Sequence, residues 1–364
     1  MKKLLDSGPR IRRKRAHGSR TTISDVARFA EVNIATVSRV LRKPEVVRGL
    51  TRERVEKAIR LLNYCPNPYA RALSSLRTGA IAYFIQGTEA LNSLYHSQII
   101  GRFEAALEGH DRDILIVSAS SVEALAQRIL SVMADAFVLH GWHLSPKCLE
   151  AIRQRRCPSV FFECNFSAGD PQDHHIGSVR LNYSKVGHAL TSELIGLGRN
   201  KIAFLDPGPS LDKSSVYLGY LSALRESSVV HDTRLAFSIG QGEPVGYENF
   251  KRGQQACRQL LALGPNAFDG VIAAGDIHAS GFMSELLRNR VRIPEDVAVF
   301  SINDSLHCEC AEPQLSAAWF DTGKIAEAIL TQLCLAEQQA DRSHAEILLD
   351  PELHRRESTH PSTS

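Results

Sequence analysis

Residues 1–78 carry 19 Lys and Arg against 6 Asp and Glu, whereas the rest of the chain holds 24 basic and 34 acidic side chains. So steep a split constrains the chain to at least two bodies, a basic module that seeks a polyanion and an acidic body that repels one. A length of 364 residues, too long for one ordinary core, accommodates both. No apolar run approaches the roughly 18 residues of a membrane span. Met1-Lys2-Lys3-Leu4-Leu5-Asp6 lacks the apolar core of a signal peptide. The cysteines are scattered, and the close pair Cys308-x-Cys310 has neither a zinc nor a redox spacing. Reduced thiols in a cytoplasmic protein are the expectation.

Within the basic half, residues 1–20 have no apolar periodicity and read as a flexible arm. From Thr22 the pattern becomes helical. Thr22 and Asp25 have capping-box spacing, and Ile23, Val26, Ala27 and Ala30 recur on one face. Asn33 is a suitable N-cap for a second helix over 34–41, in which Val37, Val40 and Leu41 form the apolar stripe. Ile34, Ala35, Thr36, Ser38 and Arg39 are left outside it. A third helix over 51–63 supplies Val55, Ala58, Ile59 and Leu62. Two short helices joined by a tight turn, with a third closing the core, make a helix-turn-helix unit. Its second helix enters the major groove, where Arg39 can donate twice to guanine O6 and N7 while Ile34 and Ala35 offer apolar contact. Arg42, Lys43 and Arg52 suit phosphates. Asn67 and Pro68 then start a short fourth helix.

Asp25-Val26-Ala27, Thr36-Val37-Ser38-Arg39-Val40, Thr51-Arg52-x-x-Val55, Asn63-Tyr64-x-Pro66-Asn67 and Ala70-x-x-Leu73 together resemble the lactose-repressor family of bacterial transcription regulators. The resemblance implies that Thr22, Thr36, Ser38, Asn67, Ala70 and Leu73 join the DNA contacts. It also implies that the fourth helix is a hinge whose Leu73 wedges a minor-groove base step. The family usually has glycine in the turn where this chain has Glu31.

From Gly79 onward strands alternate with helices. Strands are predicted at 81–85, 114–118, 136–139, 159–162, 202–205, 270–273 and 297–302, with helices such as 99–107, 186–197 and 254–263 between them. The rhythm fits two doubly wound lobes with a small-ligand cleft at the strand ends. Leu197-Gly198, Gly219-Tyr220, Ile293-Pro294-Glu295-Asp296-Val297 and Arg356-x-Ser358-Thr359 continue the resemblance and imply the type I periplasmic-binding fold. The fold class is therefore a small all-α helix-turn-helix head on an α/β body. The expected division is an arm at 1–20, the head at 21–66, hinge and linker at 67–78, and the body at 79–360. Within the body, an N-lobe of about 79–179 and 321–346 faces a C-lobe of about 180–320 and 347–360. The tail from Glu357, lacking apolar heptad positions, is expected to be disordered, and the assembly a dimer.

In the cleft the resemblance places an acid at Glu163 and polar ligands at Asp276 and Asn303. This chain departs from the family pattern with Val216 for arginine, Gly275 for asparagine and Phe320 for a polar residue. His96, His140 and Lys213 are candidates to meet an anion. Arg39-Val40-Leu41-Arg42-Lys43-Pro44-Glu45 is similar to the gluconate-repressor branch, so a sugar or sugar acid is the expected effector. No nucleophile elbow, phosphate loop, zinc-protease or dinucleotide motif appears, and neither an enzyme nor a cofactor is expected. His174-His175 near Asp170 and Asp173 reads as a surface loop. The leading expectation is a cytoplasmic repressor that binds double-stranded operator DNA as a homodimer, without a membrane. A transport-type binding protein and a carbohydrate-active enzyme share only the body. An activator or a co-repressed regulator stays open within the first class.

Overall fold

The computed structural model describes residues 21–65, 78–87, 94–166, 176–206, 208, 210–240, 247–273, 275–338 and 346–360. The chain divides into two compact units, Met1–Thr78 and Gly79–Ser364.

Among the described residues of the first unit three α-helices form: α1 (Ile23–Phe29), α2 (Ile34–Arg42) and α3 (Gly49–Leu61). The Thr22 side chain accepts from the Asp25 N–H while the Asp25 carboxylate accepts from the Thr22 N–H, the reciprocal box foreseen from spacing. Asn33 Oδ1 accepts from the Thr36 N–H at 2.9 Å and starts α2. Caps of this kind contribute about 1 kcal/mol each. Val26, Ala27, Val37, Val40, Val55 and Ala58 bury themselves as the core of the unit. The α1–α2 turn passes through Glu31 at φ 51°, a left-handed conformation that explains why glycine suits this place. Arg54 donates to the Ala30 carbonyl at 2.5 Å and reaches the Glu31 carboxylate at 3.3 Å, so the acid is held by a neighbouring cation.

The second unit contains two six-stranded sheets. The first is built from β1 (Ala80–Gln86), β2 (Asp113–Ala119), β3 (Ala136–His140), β5 (Ser159–Phe162), β7 (Ile176–Leu181) and β13 (Ile347–Leu349). Its order is β13-β7-β5-β3-β1-β2, parallel throughout. The second comprises β8 (Ile202–Asp206), β9 (Ala236–Ser238), β10 (Gly270–Ala273), β11 (Ala298–Ile302), β12 (Ser316–Trp319) and β14 (Glu352–His354). Its order is β14-β12-β11-β10-β8-β9, with only β14 antiparallel to its neighbour. A two-stranded ribbon pairs β4 (His143–Leu144) with β6 (Asn165–Phe166). Around the first sheet pack α4 (Leu94–Ala106), α5 (Val122–Ser131), α6 (Pro146–Arg155) and the late helix α12 (Thr322–Glu337). Around the second lie α7 (Tyr183–Gly196), α8 (Ser215–Glu226), α9 (Tyr247–Leu261), α10 (Asp276–Arg288) and α11 (Leu306–Cys310).

All seven predicted strands form. The lobe boundaries need correction, because β7 runs to Leu181 and β13 pairs with it inside the first sheet. The chain therefore changes lobe at Asn182, at Phe320–Asp321 and at Asp350, not at 180 and 347. The tail expectation is also corrected for residues 357–360, the part of the tail within the described residues. Ser358 is fully buried, with its hydroxyl donating to Val299 O at 2.6 Å and accepting from the Ser316 N–H at 2.8 Å. This hydroxyl satisfies backbone groups of β11 and β12, which heptad logic does not detect; Thr359 packs its own hydroxyl 2.6 Å from that of Ser316.

All eight cysteines are free; Cys308 is buried and Cys310 exposed. Among the described residues no helix is long and apolar enough to cross a membrane, and no group of three or more His, Cys, Asp and Glu is placed to hold a metal. His174 and His175 lie outside the described residues.

Two pairs of helices touch backbone to backbone. A Cβ on Gly219 would lie 1.9 Å from Ser184 O, and one on Gly187 only 1.8 Å from Val216 O. Gly253 and Gly281 do the same for α9 and α10, at 2.0 Å from His278 O and Phe250 O. Gly219→Ala should therefore cost about 1–3 kcal/mol or more. Gly196→Ala, which meets nothing within 4 Å, should be tolerated. Urea denaturation of the two variants separates these outcomes.

Candidate functional site

The first candidate surface is the outer face of α2. Val37 and Val40 turn inward, while Ile34 is 49% exposed and Ala35 and Arg39 face solvent; Thr36 and Ser38 are half-buried. The Thr36 hydroxyl is partly committed, donating to Asn33 Oδ1 at 2.9 Å. Thr22 is exposed but its hydroxyl donates to Asp25. Arg52 lies 3.5 Å from Glu56 across one helical turn, an exposed pair that phosphate can displace. The expected contacts at Asn67, Ala70 and Leu73, and the side chain of Arg42, lie outside the described residues.

The second candidate is the region where the two lobes meet. Glu163 follows β5 with φ 53°, and Asn303 follows β11 with φ 69°. Non-glycine residues in this conformation carry local strain, and such strain gathers at ligand sites. Glu163 Oε1 accepts from the Leu181 N–H at 2.6 Å; burial nevertheless raises its carboxyl to about 7. Behind it the Tyr83 hydroxyl bonds His140 Nδ1 at 3.0 Å, and the His140 ring lies 4.4 Å from Phe162 and 4.6 Å from His96. Burial lowers both histidines, His140 well below its ordinary value. Burial thus disfavours the charged form of both rings, each of which still carries one N–H donor.

Tyr95 and Gln98, at the start of α4, meet Asn303, Asp304, Ser305, Trp319, Phe320 and Thr322 around a cavity of about 10 Å3. That is room for one water. Phe320 is buried, with its ring 5.5 Å from Tyr183. Asp304 is not free to bind a ligand: Arg356 reaches it through both terminal nitrogens at 2.8 and 2.7 Å, and His354 also bonds it. Asp276, the first residue of α10, accepts from the Ile277 N–H at 2.8 Å and from the Ser305 hydroxyl. Lys213 is exposed; its N–H donates to the Ser210 carbonyl, and its side chain makes no hydrogen bond or ion pair with the described residues. The structure thus gathers His96, His140, Glu163, Asn303 and Phe320, links Asp276 through Ser305, and joins Lys213 to none of them by a hydrogen bond or ion pair. Sequence reasoning missed Tyr95, Tyr183 and Trp319, whose one signal was aromatic character at an element end.

Residues 22–67 match the family described as bacterial regulatory proteins, lacI family, and residues 191–359 match the periplasmic binding protein-like domain. Among curated proteins, catabolite control protein A of Staphylococcus aureus (strain MRSA252) is 26% identical over 324 residues, covering 85% of this chain and 92% of that protein. Its counterpart from Staphylococcus xylosus is 28% identical over 319 residues, with the same coverage of both chains. Among solved structures, the Lac repressor bound to ONPG superposes with a TM-score of 0.77 at 23% identity, over 94% of this chain and 100% of the other. The CelR–cellobiose complex gives a TM-score of 0.66 at 24% identity, over 93% and 100%. At these identities the structural likeness speaks for the fold.

The raised Glu163 carboxyl has a direct consequence for stability. A carboxyl held above its unfolded value stabilises the fold fully below about pH 4.5, and that contribution is lost as pH rises toward about 7. Glu163→Gln should raise stability at pH 8 by on the order of 1–3 kcal/mol and change little at pH 5. His278, lowered to about 4 by burial, acts in the opposite sense, losing its contribution as pH falls below about 6.5. Thermal melts of the parent and Glu163→Gln proteins across this range check the prediction, since the difference between them isolates Glu163.

Proposed function

Because this chain belongs to the lacI family of bacterial regulatory proteins and is a DNA-binding transcriptional regulator, we propose that it is a homodimeric repressor of a palindromic operator, released by a small effector. The observation that carries this reading is the solvent-facing end of α2, Ile34-Ala35 with Arg39 one turn on, displayed by a capped three-helix core within a strongly basic segment.

Phosphate contacts from the basic segment place the head without reading sequence, and displacement of condensed counterions makes binding steeply salt-dependent. The lac repressor, of the same family, is a standard instance of so steep a slope. Arg39 discriminates one base pair in each half-site. Asn67, Ala70 and Leu73 are proposed as the hinge contacts that enter the minor groove.

The effector reading places a small sugar-type molecule between the lobes, against His96, His140, Glu163, Asp276, Asn303 and Phe320. Support comes from the CelR complex with cellobiose and from the Lac repressor with ONPG. A ligand shifts operator affinity only by binding one lobe arrangement better than the other, and couplings of about 1–3 kcal/mol are typical. The free thiols fit a cytoplasmic site of action.

Arg39→Ala should cost about 1–3 kcal/mol per half-site and relax preference at one symmetric position. Arg12→Ala, in the arm, should weaken operator and random duplex alike. Deletion of residues 1–78 should abolish DNA binding while the body stays folded. Fluorescence anisotropy at several salt concentrations measures all three. Equal losses on operator and random DNA for Arg39→Ala would show that it touches only phosphate. Operator binding by the isolated body would refute the repressor reading.

A further inference from the structure

We propose that Arg54 is a positioning residue for sequence reading: it clasps the α1–α2 turn to α3, fixing the angle at which α2 is presented, and does not contact phosphate. This rests on the reading of α2 as the helix that enters the groove.

Only Glu31 and Val32 separate the cap that ends α1, Ala30, from the cap that starts α2, Asn33. The geometry of this turn therefore sets the direction of α2. The Val32 N–H donates to Ala27 O at 3.0 Å and the Glu31 N–H to Arg28 O at 3.3 Å, the paired bonds of a Schellman turn. Glu31 occupies the left-handed place at φ 51°, which glycine takes without strain and a glutamate does not. Ala30 lies past the last turn of α1, so its carbonyl is beyond the ladder of that helix.

Arg54 supplies the missing donor from α3. One nitrogen, Nη2, donates to Ala30 O at 2.5 Å, reaches Glu31 O at 3.5 Å and lies 3.3 Å from Glu31 Oε2. A cation here also meets the negative end of the α1 dipole. The anchor is firm, because Val55 and Ala58 of α3 are fully buried with Val26 and Val37.

In so basic a segment an exposed arginine would ordinarily be assigned to phosphate. Two observations oppose that for Arg54. Its nitrogen is committed to a backbone carbonyl, and the carboxylate beside it, 85% exposed, repels phosphate at the same spot. The clasp matters for reading because a bidentate contact from Arg39 to a base edge tolerates little tilt of α2. Attraction to the phosphates is long-ranged and survives such a tilt.

The test uses the full-length chain and fluorescence anisotropy at several salt concentrations. The probes are a palindromic duplex that the parent chain selects from a random-sequence pool and a scrambled duplex of equal length and composition. Arg54→Gln should weaken the selected duplex about tenfold, change the scrambled one less than about twofold, and leave the salt slope unaltered. Arg52→Gln, at a phosphate-type arginine, should weaken both alike and make the slope shallower by about one. Glycine needs no clasp in a left-handed turn, so Glu31→Gly should keep the parent's preference. Added to Arg54→Gln, it should restore the preference which that variant lost. Equal losses on both duplexes with a shallower slope for Arg54→Gln would overturn the proposal in favour of a phosphate contact. So would an unchanged preference in Arg54→Gln, or a loss that Glu31→Gly does not restore. If circular dichroism shows Arg54→Gln unfolded at the assay temperature, the double variant decides. A parent-like preference and slope then support the clasp, and a shallower slope overturns it. If the parent chain selects no duplex, the reading of α2 fails and the inference with it; if it selects one and Arg54→Gln behaves as Arg52→Gln does, the inference alone fails.

Discussion

Neither lobe of the body is continuous in sequence, and everything else in the second unit depends on that. The chain leaves the first lobe at Asn182, returns after Phe320 and leaves again at Asp350. One hydrophobic cluster accordingly runs through both lobes, from Tyr83, Phe103 and Phe162 to Phe204, Tyr220 and Phe320. The crossings are stitched to each other. Asn182 Nδ2 and Lys185 Nζ both donate to Asp350, at 2.9 and 2.6 Å, and Lys324 Nζ reaches Glu352 at 2.7 Å. Exposed pairs like these stabilise little. Their effect is to limit the ways in which the crossings can bend, while the shared core keeps the lobes from unfolding separately.

That arrangement also explains how the cleft can change chemistry without changing fold. The groups that hold the scaffold, the Gly187–Gly219 and Gly253–Gly281 contacts and the Asp304–Arg356 pair, lie in helix seams or in the second lobe's own packing. The groups that would read a ligand sit at element ends, where a side chain projects without disturbing a ladder. Glu163 and Asn303, strained at positive φ after two strands of opposite lobes, belong to this second set. So do Val216, Gly275 and Phe320, the positions where this chain departs from the pattern it resembles.

Most of the scaffold was legible in the sequence because it follows short-range rules. Capping residues at Thr22 and Asn33 and apolar runs such as Ile81–Ile85 and Val297–Ile302 mark elements whose local preference and burial agree. The strands that escaped notice, among them Ile176–Leu181 and Ile347–Leu349, hold their place through distant partners. Gly177, Ser178 and Arg180 break the apolar run of the former. Ser358 and Thr359 escaped for the same reason, since their value lies in groups some 40 residues away in sequence. The cleft was half legible. Its acids and histidines stood out as residue types, but burial, which disfavours the charged form of His140, is a property of the folded neighbourhood alone. Tyr95 carried only the weak signal of an aromatic residue near the start of a helix.

The covalent route between the two functions runs through Gly79. Its N–H donates to the Asp135 carboxylate at 2.8 Å, and its carbonyl accepts from the Asp113 N–H at 2.9 Å, so the chain enters the body already pinned to the first sheet. Ala80 then begins β1, flanked by β2 and β3 in the first lobe's ladder. The DNA-binding segment is therefore joined covalently to a strand of the first lobe. On the proposed reading, an effector bound between the lobes would reach DNA binding through this first-lobe connection. Linkage then requires that whatever the effector removes from operator affinity, operator removes from effector affinity. Substitutions in the second lobe that weaken the ligand without moving the first should leave the tether, and with it DNA binding in the absence of ligand, unaltered.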